Sequence, residues 1–205
     1  MRQTGEIPDT FLLVEHPPCV TIGRGGTSAH ILVGNDVLER EGIAVHMTDR
    51  GGDVTYHGPG QLVCYPIVAL EDYDRDLHAH ARRLETVMMK AVASFGVESW
   101  RQPGFPGVWT ALGKIGSIGV AVRRWVTTHG AALNVSLDLR PFSLIVPCGL
   151  SGVTVTSLAE ILGWPPDLAL ARQVMREGCE HAFGLSLNEG RDHELLNAAL
   201  GPLGC

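Results

Sequence analysis

The chain has no C-x-x-C pair: its five cysteines, Cys19, Cys64, Cys148, Cys179 and Cys205, are odd in number and widely scattered. That spacing fits neither a disulfide framework nor a zinc knuckle, and it predicts free thiols in a reducing compartment. No run of lysine or arginine offsets the net charge of −6, since Arg82-Arg83 and Arg123-Arg124 are isolated pairs, which argues against nucleic-acid binding. No apolar run approaches the roughly 20 residues that span a bilayer, and Met1 to Glu6 carries no signal-peptide core. A cytoplasmic protein without membrane contact is expected.

Several catalytic signatures are also missing. Five residues separate Gly107 from Gly113-Lys114, and Ile115 follows the lysine, which breaks the phosphate-loop pattern twice. Ser117 has Gly119 after it but Ile115 where a nucleophile elbow needs glycine. Gly113, Gly116 and Gly119 do not make the dinucleotide fingerprint. There is no H-E-x-x-H, and the nine histidines show no ligand spacing, so no metal is expected. His78 and His80 sit two apart on an expected helix and point to different faces.

What the chain has is the balance of an ordinary globule, 45% hydrophobic and 19% charged, in 205 residues, with no internal repeat and no low-complexity linker. One domain over residues 1–205 with a real core is expected. Strands are expected at Phe11–His16, Cys19–Gly23, Ile43–Met47, Gln61–Leu70, Val97–Trp100, Val108–Leu112, Lys114–Val122 and Gly130–Leu137, with Pro66 marking an edge or a bulge. Trp125 to His129 reads as a turn. The clearest helix runs from Asp74 to Phe95, where Leu77, Ala81, Leu84, Met88, Ala91 and Phe95 recur at helical steps and Gly96 follows. Shorter helices are expected at Val37–Glu41, Ser157–Leu162, Asp167–Phe183 and His193–Leu200. Strands interspersed with helices, and helices gathered at the C-terminal end, indicate an α/β (α+β) mixed-sheet architecture.

Two places invite chemistry. The stretch Asp49-Arg50-Gly51-Gly52-Asp53-Val54-Thr55-Tyr56-His57-Gly58-Pro59-Gly60-Gln61 reads as a glycine-rich loop in which Arg50 and backbone N–H groups can hold a carbonyl or carboxylate; a plain solvated turn fits the same composition. The second place is the pair Lys114 and Cys148. Cys148 lies between Pro147 and Gly149 on a constrained turn, and Lys114 stands in an apolar, glycine-rich strand where an ammonium needs a partner. If they meet, the cation favours thiolate and the lysine can exchange protons during acyl transfer. If they do not, Cys148 is a small buried hydrophobe and Lys114 snorkels to the surface.

Three blocks in order carry a family resemblance: Arg50-Gly51-Gly52 through Thr55-Tyr56-His57-Gly58-Pro59-Gly60-Gln61, then Lys114-Ile115-Gly116-Ser117-Ile118-Gly119 with Trp125 and His129-Gly130, then Ile145-Val146-Pro147-Cys148-Gly149. With Glu15-His16-Pro17-Pro18 and the glycine near Arg24, they resemble the lipoyl(octanoyl) transferase family from about Glu6 to the C-terminal helices. The resemblance implies a fold similar to the catalytic domain of biotin and lipoate protein ligases. It also implies transfer of an octanoyl group in lipoate biosynthesis, from octanoyl-acyl carrier protein to a lysine of lipoyl domains, those of 2-oxoacid dehydrogenase complexes and the glycine cleavage H protein, with no cofactor. By motif position, Cys148 would be the thioester nucleophile, and Lys114 would lower its pKa and shuttle protons. The acyl group would be held by Arg50, Gly51, Gly52, Asp53, Val54, Thr55, Tyr56 and His57, by Ser117, Ile118 and Gly119, and by Gly130, Ala131 and Ala132. His57 and His129 would orient groups near the pair.

Physical chemistry agrees with those roles. Exchange of a thioester onto a thiol is nearly balanced and needs no ATP, in keeping with the missing phosphate loop. Gly116, Gly119 and Gly130 are expected to keep side chains clear of an acyl chain whose methylenes each contribute about 0.8 kcal/mol on burial. Members of the family usually carry a strand and a helix ahead of the segment matching Glu6-Ile7-Pro8-Asp9, whereas five residues precede it here; either the start is assigned late or the chain is naturally short. Two rival functions stand beside this reading: an ATP-dependent lipoate or biotin ligase, for which Arg24-Gly25-Gly26 offers a poor nucleotide loop, and an inactive carrier-binding module.

Overall fold

The structure, a computed structural model, describes residues 2–5, 7–150 and 152–190. The expected helix at His193–Leu200, and Cys205, lie outside the described residues. In chain order the elements are β1 (Thr10–Val14), β2 (Cys19–Ile22), α1 (Asn35–Arg40), β3 (Ala44–Met47), β4 (Val54–His57), β5 (Gln61–Ile67), α2 (Leu77–Ala93), β6 (Trp100–Gln102), β7 (Phe105–Thr110), β8 (Gly113–Arg123), β9 (Val126–Asn134), α3 (Leu158–Leu162) and α4 (Leu168–Phe183).

Two sheets form. The larger has the order β1-β5-β9-β8-β7-β6 with antiparallel neighbours, and the smaller has β3-β2-β4, in which β2 runs parallel to β3 and antiparallel to β4. This is the mixed α/β architecture expected. α2 and α4 cover one face of the large sheet, where Leu62, Cys64, Leu84, Met88, Ile115, Leu133, Met175 and Cys179 form the main core. The small sheet turns Val20, Ile22, Val54 and Tyr56 toward Leu38, Phe142 and Ile145 in a second core. Period-two alternation therefore leaves the opposite face of each sheet free, and those two faces enclose the site.

The helices start where side chains satisfy their first N–H groups: Asp76 accepts from His78 N at 2.7 Å, Ser157 from Glu160 N at 3.2 Å and Asp167 from Ala169 N at 2.8 Å. Gly163 and Gly184, at φ 76° and 66°, close α3 and α4 in the left-handed conformation that glycine adopts at low cost.

Several boundaries differ from expectation. The glycine-rich stretch is not one loop, because Val54–His57 forms β4 and pairs with β2. The 125–129 segment is not a turn: Arg124 and Trp125 alone make it, with φ 49° and 63°, and β9 begins at Val126. The strand expected at Val97–Trp100 begins instead at Trp100. Pro66 marks no edge, since β5 lies between β1 and β9. Pairing with β9 runs only from Gln61 to Cys64, so the missing N–H of Pro66 leaves no rung unfilled. Among the described residues no helix is long and apolar enough to cross a membrane.

Candidate active site

Lys114 and Cys148 meet. Lys114 Nζ lies 3.6 Å from Cys148 Sγ, and the lysine is only 5% exposed. A bulge on β8 makes the contact possible. Val108 pairs with Gly116 but Trp109 with Lys114, so Ile115 is an extra residue. Ile115 and Gly116 both face the helices, Ile115 in the main core and Gly116 against Met88 Sδ. Lys114 is thereby turned to the other face of the strand, the face that Ser117 occupies. Its stem passes over Gly107, where an added Cβ would come within 2.8 Å of Lys114 Cε, and its ammonium sits 5.6 Å from the Trp109 ring centroid. The buried carboxylate of Glu85 anchors that stretch of β7, accepting from Gly107 N at 3.2 Å and from Arg101 Nε at 2.8 Å. Among the described residues no carboxylate is ion-paired to Lys114.

Cys148 is half-buried on a tight turn over Pro147–Gly149, with φ 56° and ψ 20°. The left-handed conformation costs a non-glycine residue roughly 1–2 kcal/mol, and the turn holds it through Gly149 N to Val146 O at 3.1 Å and Leu150 N to Pro147 O at 3.0 Å.

The sulfur faces a cavity of about 250 Å³ between the two sheets. Its floor is built from small residues on the large sheet, Ser117 and Gly119 of β8 with Gly130 and Ala132 of β9. Val63, Tyr65 and Ile67 of β5 and Leu12 of β1 wall it in; its roof is the row His46, Thr21 and Thr55 on the small sheet. Of the residues singled out from sequence, Arg50, Gly52, Asp53, Thr55, His57, Ser117, Ile118, Gly119, His129, Gly130, Ala131, Ala132 and Cys148 all border this cavity. Four do not. Lys114 stands outside the lining, against Cys148; Val54 and Tyr56 alternate away into the second core, and Gly51 docks the loop onto β8 through its N–H to Val120 O at 2.9 Å.

The guanidinium of Arg50 is turned inward onto its own loop and β2. It donates to Thr21 O at 2.7 Å, Thr21 Oγ1 at 2.8 Å, Asp53 O at 2.7 Å and Gly51 O at 3.1 Å, pinning the loop. Burial lowers its pKa, opposed by the charges of Cys148 and Asp53. The glycines also differ from their expected part. A Cβ on Gly119 would press on Arg50 Cδ and Gly51 O, both at 3.0 Å, and one on Gly130 would meet Pro66 Cδ at 2.7 Å and overlap the backbone of Cys64. Their missing side chains, like that of Gly116 beneath Met88, make room for protein, and the open slot comes from Ser117 and Ala132.

The histidines are wired individually. His57 Nδ1 donates to Gln61 Oε1 at 2.7 Å, whose Nε2 donates to Asn134 Oδ1 at 2.9 Å; Thr21 Oγ1 lies 3.4 Å from His57 Nε2. Burial pushes the pKa of His57 down to about 4, so the ring is neutral near pH 7. His129 Nε2 donates to Asp49 Oδ1 at 2.6 Å, and that bond holds the Asp49 carboxyl below its usual range. Sequence reasoning missed His16, which shares a 2.6 Å hydrogen bond with Tyr65 on the cavity wall, and His30, which donates from Nδ1 to Asp53 Oδ2 beside the cysteine turn. The His-Pro-Pro block around His16 was a usable signal; nothing in the sequence marks His30.

Residues 1–180 match the family model described as the lipoyl protein ligase A/B catalytic domain. An octanoyltransferase of Geobacter metallireducens is 51% identical over 169 residues, covering 82% of this chain and 76% of its own, and one of Solibacter usitatus is 52% identical over 160 residues, covering 78% and 72%. Among solved structures, lipoate-protein ligase A bound with ATP superposes with a TM-score of 0.77 at 18% identity, covering 95% of this chain and 80% of the other. A biotin protein ligase from Aquifex aeolicus in complex with biotin gives 0.50 at 12% identity over 80% and 70%. At those identities the structures speak for the fold alone.

Proposed function

The chain belongs to the lipoyl protein ligase A/B catalytic-domain family and, within it, to the octanoyltransferases of lipoate biosynthesis, and on that premise we propose that it carries the octanoyl group as a thioester on Cys148. In this reading the donor is octanoyl-acyl carrier protein and the acceptor is a lysine of lipoyl domains, those of 2-oxoacid dehydrogenase complexes and the glycine cleavage H protein. The observation that carries the mechanism is the 3.6 Å separation of Lys114 Nζ and Cys148 Sγ in a mostly buried setting.

The Cys148 thiolate, with the Lys114 ammonium beside it, attacks the donor carbonyl. The carbon–sulfur bond to the carrier breaks, and the departing thiolate takes a proton from Lys114 Nζ. The acceptor amine then attacks the acyl-cysteine, and neutral Lys114 accepts the proton that the new ammonium loses as the Cys148 thiolate departs. Both residues end in their starting states. The alkyl tail lies over Ser117 and Ala132 against Val63 and Leu12, each buried methylene contributing about 0.8 kcal/mol. Neutral His57 and the Asp49-held His129 border the same space as orienting groups.

The test is octanoyl transfer from octanoyl-acyl carrier protein to an isolated lipoyl domain with ATP withheld. Turnover without ATP is expected. Transfer only from free octanoate and only with ATP would identify a ligase instead, and binding of the carrier without turnover would identify a carrier-binding module.

A further inference from the structure

We propose that His30 is a positioning residue for Cys148: by holding the Asp53 carboxylate through its Nδ1–H it fixes the cysteine turn and engages the negative charge that Asp53 would otherwise present to the thiolate. The inference rests on Cys148 being the nucleophile, and it adds a third and a fourth residue to the lysine–cysteine pair.

The geometry is specific. The Asp53 side chain, only 10% exposed, lies directly under the turn: a Cβ on Gly149 would stand 2.5 Å from Asp53 Oδ2 and 3.5 Å from His30 Cε1. Asp53 Oδ2 accepts from His30 Nδ1, and Asp53 Oδ1 accepts from Thr27 N at 3.2 Å. The main chain of His30 grips the same turn from outside. Val146 N donates to His30 O at 2.8 Å, Leu32 N donates to Leu144 O at 2.8 Å, and Ile31 pairs with Ile145. One residue therefore ties down the segment entering the turn with its backbone and the carboxylate beneath the turn with its ring.

Charge gives that arrangement a chemical consequence. Around the Cys148 turn stand Lys114 from β8, Arg50 and Asp53 from the loop before β4 and His30 from the segment after β2, while His57 from β4, which burial keeps neutral, lines the same cavity. Asp49, on the same cavity, is tied to His129, which leaves Asp53 as the anion under the turn. A carboxylate near a thiolate disfavours ionisation of the thiol, and the enzyme needs the thiolate. A ring N–H donated to the carboxylate eases the conflict, leaving the fields of Lys114 and Arg50 to act on the sulfur.

The test is the rate of Cys148 alkylation by iodoacetamide in the full chain, followed at the Cys148 peptide by mass spectrometry from about pH 5 to about pH 10. Wild type, His30→Gln, Asp53→Asn and the double variant are compared. Gln keeps an N–H donor and removes the imidazole ring that holds Asp53 beneath the turn. His30→Gln is expected to raise the midpoint of the Cys148 profile by about one unit, slowing alkylation near neutrality about tenfold, and to lower the acylation rate more than the KM for octanoyl-acyl carrier protein. Asp53→Asn is expected to lower the midpoint, and adding it to His30→Gln to bring the midpoint back to or below the wild-type value. An unchanged profile in His30→Gln overturns the proposal, as does a double variant shifted as far as His30→Gln alone. The octanoyl adduct on wild-type Cys148 is read by intact mass in the same samples: its absence refutes the nucleophile, while the alkylation profiles still decide the part played by His30.

Discussion

Lys114 and Cys148 are joined across 34 residues of sequence by one extra residue on β8. Without Ile115 as a bulge, strict alternation would place Lys114 on the face that Gly116 presents to α2, and the ammonium would be buried among Leu84, Met88 and Val92. The bulge is thus what brings the two side chains together.

Replacing Lys114 separates its two tasks. Lys114→Met removes both the cation and the proton carrier, and octanoyl transfer is expected to fall by about 10²–10⁴-fold, the range of a lost general acid–base group. Lys114→Arg keeps the charge but cannot give up a proton near neutral pH. If the lysine shuttles protons, the arginine variant stays nearly as slow as Lys114→Met; recovery of most of the rate in Lys114→Arg would reduce the lysine to a fixed charge. Steady-state rates with octanoyl-acyl carrier protein and a lipoyl domain measure this.

Arg50 holds one border of the cavity together. Arg50→Lys replaces a fork that satisfies Thr21, Gly51 and Asp53 with a single ammonium. Losing at least two charge-assisted bonds is expected to cost about 3 kcal/mol, a drop in Tm of about 6–12 °C for a chain of this size. Calorimetry would show it, and a Tm within a degree of wild type would mean the loop is held by other contacts.

How much of this was legible beforehand differs from residue to residue. α4 was readable to its ends because Asp167 and Gly184 are caps with distinct chemistry, and α2 because its apolar stripe is long. Cys148 and Lys114 each stood out by context, as a cysteine inside a Pro-Gly turn and a lysine inside a small-residue strand. Their meeting was not readable, because it depends on a register irregularity that alternation alone does not signal. β4 was hidden because four strand residues sit between glycines, and the tertiary pairing of Thr55 with Thr21 overrides the local turn preference. The inward fork of Arg50 and the His30–Asp53 bond depend on neighbours 29 and 23 residues away. The expected part of Gly130 failed for a related reason, since a glycine spared for a ligand and one spared for a neighbouring strand look identical in sequence.

Acid should loosen the fold through buried histidines. His80, fully buried against Phe183 with no hydrogen-bond partner for either ring nitrogen among the described residues, has its pKa pushed down to about 4 by burial, and His57 is held near the same value. Between about pH 6.5 and 4 the unfolded chain binds protons at these rings and the folded chain does not, so stability falls as the pH falls through that window. For His80 the loss approaches about 3 kcal/mol at the acid end. His80→Leu is expected to remove that share and to gain about 1 kcal/mol at pH 7 by deleting an unsatisfied buried donor and acceptor. Urea melts of both proteins near neutrality and near pH 5 test this, and a His80→Leu chain that loses as much stability on acidification as wild type would refute it.

The most direct measurement is the intact mass of the protein after mixing with octanoyl-acyl carrier protein, without ATP and without acceptor, for wild type and Cys148→Ser. The predicted result is one octanoyl adduct on wild type, released by hydroxylamine as a thioester is, mapped to the peptide containing Cys148 and absent from Cys148→Ser. No adduct on either protein, or an equal adduct on both, would contradict a mechanism in which Cys148 carries the acyl group.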